Sequence, residues 1–242
     1  MVPILAALLA LQQPVSLPKH GIWGAKTVAL DRAYPTGTVA VASPDGRSIA
    51  EASVDEGKET SSIRISGSVG RASISAAYGP NEEMMWSPDS RALFVTADDG
   101  GAIGTYELTV IGRSGGRVIT RDLSRWLRGR FGRPVRCFEP EPWNVAGVAW
   151  LDGSSRLLAA VQILPHSNCD SMGTYVVYEV DPWRRRVLAR FNQVEAKRRF
   201  RNLLGPRLLG DDQCVIRPSA RWIPQLHPKR ATGRRPPARP PG

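Results

Sequence analysis

Short apolar runs separated by polar turns fill most of the chain, and the clearest of them alternate with a period of two. Ser62–Ser66 sets Ile63 and Ile65 against serine and arginine, and Ala72–Ala77 repeats the pattern around Ile74. Such alternation predicts strands with one solvated face. Further strand-like runs are Trp23–Leu30, Thr38–Ala42, Ser48–Val54, Met84–Trp86, Ala92–Thr96, Thr105–Ile111 and Arg117–Thr120. Val145–Trp150, Arg156–Leu164, Thr174–Val180 and Val187–Phe191 follow. Two stretches change to a helical period. Asp122–Phe131 puts Leu123, Trp126, Leu127 and Phe131 on one face, and Gln193–Leu204 does the same with Ala196, Phe200, Leu203 and Leu204. Gly132 and Pro134 stop the first helix, and Gly205-Pro206 stops the second.

The turns repeat as well as the strands. Ser43-Pro44-Asp45-Gly46-Arg47 recurs as Ser87-Pro88-Asp89-Ser90-Arg91, 44 residues later, and more loosely as Asp152-Gly153-Ser154-Ser155-Arg156. In each, an apolar run leads in and another leads out. Proline sets φ at the second turn position, while Ser and Asp offer side-chain acceptors that close a tight hairpin. The expected sites of this chemistry are therefore Pro44, Asp45, Pro88, Asp89 and Asp152. A period of about 40–45 residues with turn-linked short strands is the trace a β-propeller blade leaves. The fold class expected is all-β, with three blade-like antiparallel sheets and two short peripheral helices.

Residues 39–50, 84–96 and, more loosely, 148–162 resemble the W-S-P-D-G-[KR]-x-[IL]-[AV] repeats of TolB-type propellers, which also occur in the propeller domains of prolyl-oligopeptidase-like enzymes. The resemblance spans roughly residues 22–191 and implies blade architecture; such repeats serve many unrelated functions. Three units are visible, where closed propellers have about 4–8 blades. The sheets are thus either part of a propeller or a divergent assembly whose open edges the two helices cover.

Charge and cysteine content add a compartment and a tail. The formal net charge is +11, but seven Lys/Arg and no acid fall in residues 215–242. Arginine outnumbers lysine 28 to 5, a coding bias that weakens a polyanion reading of individual arginines. Residues 1–18 read as a signal peptide, because the apolar run Val2–Leu11 is shorter than the ~20 residues a membrane span needs. A buried first strand or helix is the alternative. Residues 19–214 form the propeller-like domain, and residues 215–242, rich in proline and arginine, form a disordered tail. With export, Cys137 and Cys169 are expected to pair, since a segment entering the first strand of the third unit can reach the loop between its second and third strands. Cys169–Cys214 is the competing pair.

Candidate chemistry is sparse. Gly112-Arg113-Ser114-Gly115-Gly116 matches the G-x-S-x-G nucleophile pattern, but between two strand-like runs it reads as a hairpin. His166 stands three residues before Cys169, half of a zinc site, and Asp98-Asp99-Gly100-Gly101 lacks the EF-hand spacing. No catalytic set, cofactor fingerprint or metal site is expected. Basic clusters at Arg184–Arg186, Lys197–Arg201 and Arg217–Arg239 have few aromatic neighbours, which disfavours nucleic acid. The function expected is a secreted or periplasmic, non-catalytic binding or scaffold protein whose ligand or protein partner is unspecified. The rival readings are a propeller-type accessory to a hydrolase and polyanion binding through the basic tail. No apolar stretch in the mature chain is long enough to span a membrane.

Overall fold

A computed structural model describes residues 19–31, 38–55, 60–77, 81–98, 105–114, 116–131, 135–138, 142–165 and 167–210. The signal-peptide, tail, His166 and Cys214 readings therefore lie outside the described residues. The chain is mostly β, in three antiparallel sheets. Sheet I holds β3 (Val39–Ala42), β4 (Ser48–Asp55), β5 (Thr60–Gly67) and β6 (Ala72–Ala77) in sequence order. Sheet II holds β7 (Asn81–Trp86), β8 (Ala92–Asp98), β9 (Tyr106–Ser114) and β10 (Arg117–Asp122), and sheet III holds β11 (Asn144–Asp152), β12 (Arg156–Gln162), β13 (Tyr175–Asp181) and β14 (Arg186–Asn192).

Sheet II is longer than the sequence reading. β1 (Lys19–His20) and β2 (Val28–Asp31) join it ahead of β7, with Val28 opposite Met84. The strand expected over Trp23–Leu30 is thus mostly loop, and its last residues pair with β7 of sheet II. Three helices are described where two were expected. α1 (Ser124–Arg128) and α2 (Gln193–Phe200) lie inside the expected spans but are shorter. α3 (Pro206–Leu209) begins at the proline that was read as a stop. Proline fits the first helical position, where its missing N–H is not needed.

The first two repeat turns have the same hydrogen-bond pattern. Ser43 Oγ donates to Asp45 Oδ1 at 2.7 Å and accepts from Ser48 N; Ser87 Oγ donates to Asp89 Oδ1 at 2.7 Å and accepts from Ala92 N. Each Asp also accepts from the following Arg N–H. Gly46 and Ser90 both take the left-handed conformation, at φ 68° and 59°, which serine adopts at a cost that glycine avoids. The third turn is built differently: Asp152 O accepts from both Ser155 N and Ser155 Oγ, and Gly153 is left-handed.

Turns and tryptophans also tie each sheet to the next. Asp45 N donates to Ser90 Oγ, and Asp89 Oδ2 accepts from Ser154 N and Oγ. Trp86 Nε1 donates to Val41 O at 2.9 Å, and Trp150 Nε1 donates to Met85 O at 3.1 Å. Both acceptors sit two residues before the turn serine of the preceding sheet. The same brace is thus used twice, I to II and II to III. One apolar cluster fills each junction: Ile63, Ile65, Met84 and Leu93 between I and II, and Phe94, Val110, Trp150 and Leu157 between II and III. A Cβ on Gly112 would strike the Trp183 ring, so glycine there lets the β13–β14 turn pack on sheet II.

Burial raises the Asp89 carboxyl, but bonds from Ser87, Ser154 and the Arg91 N–H outweigh it and hold the group below its ordinary value. Asp89→Ala is expected to cost about 1–2 kcal/mol in urea unfolding. Asp45→Ala should cost less, because its carboxyl is held mainly within its own turn by Ser43 and the Arg47 N–H, whereas Asp89 receives two bonds from Ser154 of the next sheet.

The two outer faces of the stack differ. On the far side of sheet III, Leu158, Val177 and Phe191 lie under Ala196 and Phe200 of α2, Leu208 of α3, and Trp23. Asn192 caps α2 in a reciprocal box with Glu195. The far side of sheet I is mostly small and polar, with Ser62, Arg64, Ser66, Ser73 and Ser75 exposed or half-buried, Ser53 bonded to Ser62, and Ile49 exposed opposite Ser66. Helices finish one end of the stack and serines the other. α1 does not cover an end; Leu123 and Leu127 are buried in the II–III junction.

Candidate functional site

The antiparallel order of sheet III separates its two rims. The turns at 152–156 and 181–186 lie at one end, and the β12–β13 loop and the β14–α2 junction lie at the other. All the repeat-turn residues, Pro44, Asp45, Pro88, Asp89 and Asp152, belong to the hairpins β3–β4, β7–β8 and β11–β12. They are brought together as a brace between sheets, and none lines the cleft at the opposite end of sheet III.

A cleft of about 480 Å³ opens at the opposite end of sheet III. Its apolar lining is Phe131 after α1, Val135, Ile163, Tyr175 and Val176. Arg190 and Asn192 enter from β14, Gln193 and Val194 from α2, and Asp170, Ser171 and Thr174 from the β12–β13 loop. Arg190 Nη2 donates to Phe131 O, which ties β14 to the end of α1. Ser171 takes the left-handed conformation at φ 65°, and its carbonyl accepts from Thr174 Oγ1 at 2.7 Å. Burial pushes the Tyr175 hydroxyl up to about 12, and it donates to Leu208 O. That ring is neutral at any physiological pH.

Cys137 and Cys169 form a disulfide at the edge of this cleft. Around it, Phe138 N donates to Asn168 O and Asp170 N donates to Arg136 O, a short antiparallel bridge. Val135 lies two residues before one cysteine, and Asp170 and Ser171 follow the other. The bridge therefore fixes two walls of the cleft together. Three large apolar side chains stand exposed in the same segments: Phe138 at 85%, Met172 at 53% and Val194 at 77%. Of these three, Val194 lines the cleft itself, while Met172 lies between the lining residues Ser171 and Thr174 in sequence and Phe138 follows Cys137. The lining is evenly divided between apolar or aromatic side chains and polar or charged ones, so the cleft offers both apolar contact and hydrogen-bonding groups to a ligand.

A second polar feature is buried. Glu83 on β7 accepts from Trp23 N and from Thr27 Oγ1 at 3.0 Å, so it holds the loop between β1 and β2. A Cβ on Gly21 would overlap that carboxylate. Its neighbour Glu82 points the other way and accepts from Ser61 Oγ in sheet I. Burial pushes the Glu83 carboxyl up to about 8, against the bonds from Trp23, Thr27 and the N–H groups of Ile22 and Gly24. The consecutive acids hold the centre of the fold to both sides.

The G-x-S-x-G stretch lies at the β9–β10 hairpin, with Ser114 opposite Arg117. A strand-to-helix turn, which a nucleophile elbow needs, is not there. Among the described residues no group of three or more His, Cys, Asp and Glu is placed to hold a metal ion, and no helix is long and apolar enough to cross a membrane. Sequence reasoning identified the cysteines but missed the cleft. The available signals were Phe138 in a polar, proline-rich segment, Met172 in a glycine–serine loop, and Val194 off the apolar face of α2. No family model, curated protein or solved structure is similar to this chain.

Proposed function

We propose that the protein is a non-catalytic binding protein of the secreted or periplasmic space, built as a short TolB-type propeller-like stack that is not closed into a ring. Its ligand surface is the cleft beside Cys137–Cys169. The observation that carries this reading is a cleft lined by Val135, Ile163, Val176, Val194 and Arg190, whose walls at 135–138 and 169–171 a disulfide holds together. The repeated turn networks and the two equivalent tryptophan braces support the propeller-like part. A disulfide that fixes a functional rim supports an oxidising compartment.

Anilinonaphthalene sulfonate is a suitable probe, with an apolar ring system for the lining and an anionic group for Arg190. It is expected to bind the folded protein one-to-one. Val194→Glu and Met172→Glu together should weaken binding by about tenfold or more, as placing carboxylates in an apolar rim costs over 1.4 kcal/mol. Unchanged affinity in the folded double variant contradicts the assignment of the site.

A further inference from the structure

We propose that the free edge of β14 and the cleft at its end form one docking surface for an extended, acidic polypeptide segment, which lies beside β14 as a fifth strand of sheet III and sets an apolar side chain into the cleft. The inference rests on the reading of the cleft as a binding site and names what occupies it.

Three observations carry it. β14 is the outermost strand of sheet III and pairs only with β13, so the main-chain groups on its other side meet no described strand. An unpaired edge accepts an added strand. Second, the surrounding surface is basic. Residues 184–201 hold eight Lys/Arg and one acid, Glu195, and that carboxylate is committed to the Asn192 N–H at 2.9 Å. Arg184 is paired with Asp181, whereas Arg186 and Arg190 on β14 are exposed and make no ion pair among the described residues. Arg190 also donates to Phe131 O and bonds the Tyr178 hydroxyl. Third, the strand leads into the cleft, because Arg190 and Asn192 belong to both.

The strand also carries features that select its partner. The ladder with β13 shifts register near Leu188, which leaves Ala189–Asn192, the half next to the cleft, as the regular part. A bulge and arginines on an edge repel most strands, and a segment with alternating carboxylates is the one whose charge fits. A nucleic acid would match the charge and stack a base on Phe138, but makes no use of a main-chain strand edge. The polypeptide is the better fit to all three.

The test uses the full chain and a blocked heptapeptide, Glu-Val-Glu-Phe-Glu-Val-Glu. The same peptide with lysine for glutamate, its alternately N-methylated form, and a single-stranded oligothymidylate of equal charge are the comparisons. The acidic peptide is expected to displace anilinonaphthalene sulfonate, to slow amide exchange over Ala189–Asn192, and to bind at least about tenfold tighter than the lysine peptide. N-methylation should abolish the exchange protection. Arg186→Glu with Arg190→Glu should reverse the preference toward the lysine peptide, a gain of binding that a misfolded variant cannot show. Equal binding of the oligothymidylate, or peptide binding without protection of β14, overturns the inference. So does no peptide binding while the dye still occupies the cleft, and in that case the binding reading survives. Loss of dye binding to the cleft removes both.

Discussion

Removing the Cys137–Cys169 bridge is expected to lower the unfolding free energy by about 3–4 kcal/mol, from the loop-closure entropy of cysteines 32 residues apart. The effect on binding should be larger than the effect on fold. Few other bonds hold the 135–138 segment among the described residues, the chief being Phe138 N to Asn168 O and Asp170 N to Arg136 O, each beside a cysteine. Only the II–III cluster includes a cysteine, with Cys169 one of its members and Cys137 packed against it, and the other two clusters contain none. Cys137→Ser with Cys169→Ser should therefore keep its β-sheet circular dichroism, unfold at lower denaturant and bind anilinonaphthalene sulfonate weakly. A variant with unchanged stability and unchanged dye affinity contradicts the role given to the disulfide.

Stability is expected to fall between pH 5 and 9 on account of Glu83. Its folded value of about 8 lies above the ordinary 4.5, so the folded protein holds a proton that the unfolded chain has released. The contribution is fully present below the ordinary value and is lost as pH rises through about 8. The change is on the order of 4 kcal/mol over that range. The other groups that the fold displaces do not titrate there. Asp45 and Asp89 are lowered, the Tyr175 hydroxyl is pushed up to about 12, and Tyr178 is raised by burial against the opposing Arg190. Glu83→Gln stays neutral and keeps an acceptor for Trp23 N and Thr27 Oγ1, so its stability should be nearly flat across the same window. Urea unfolding at a series of pH values compares the two. A wild-type curve parallel to that of Glu83→Gln rules out the buried carboxyl as the cause.

The turns and most strands were legible in the sequence because their causes are local. Ser43 and Asp45 close their hairpin with their own side chains, and Ile63 and Ile65 alternate with polar residues on the strand itself. The place of β2 was not legible. Alternation says that Val28 and Leu30 belong to a strand, yet nothing local says that the partner is β7, more than fifty residues away. Glu83 was hidden for a related reason, since its partners are mainly main-chain N–H groups of residues 22–24. Gly205-Pro206 was half legible. It ends one helical segment, as read, and also starts the next, because glycine and proline suit both sides of such a junction. For the cleft, Cys137 and Cys169 marked the place, but only the fold brings Arg190, Phe131 and Val194 to the same place.

The central claim is that this protein binds at the disulfide end of sheet III, away from the repeat turns that dominate its sequence. Amide-resolved nuclear magnetic resonance of the isotope-labelled protein, titrated with anilinonaphthalene sulfonate, tests it most directly. The predicted result is a compact footprint on Val135, Phe138, Ile163, Met172, Val176 and Val194, with residues 43–48, 87–92 and 152–156 unmoved. A footprint on those turns, or on the serine face of sheet I, contradicts the claim.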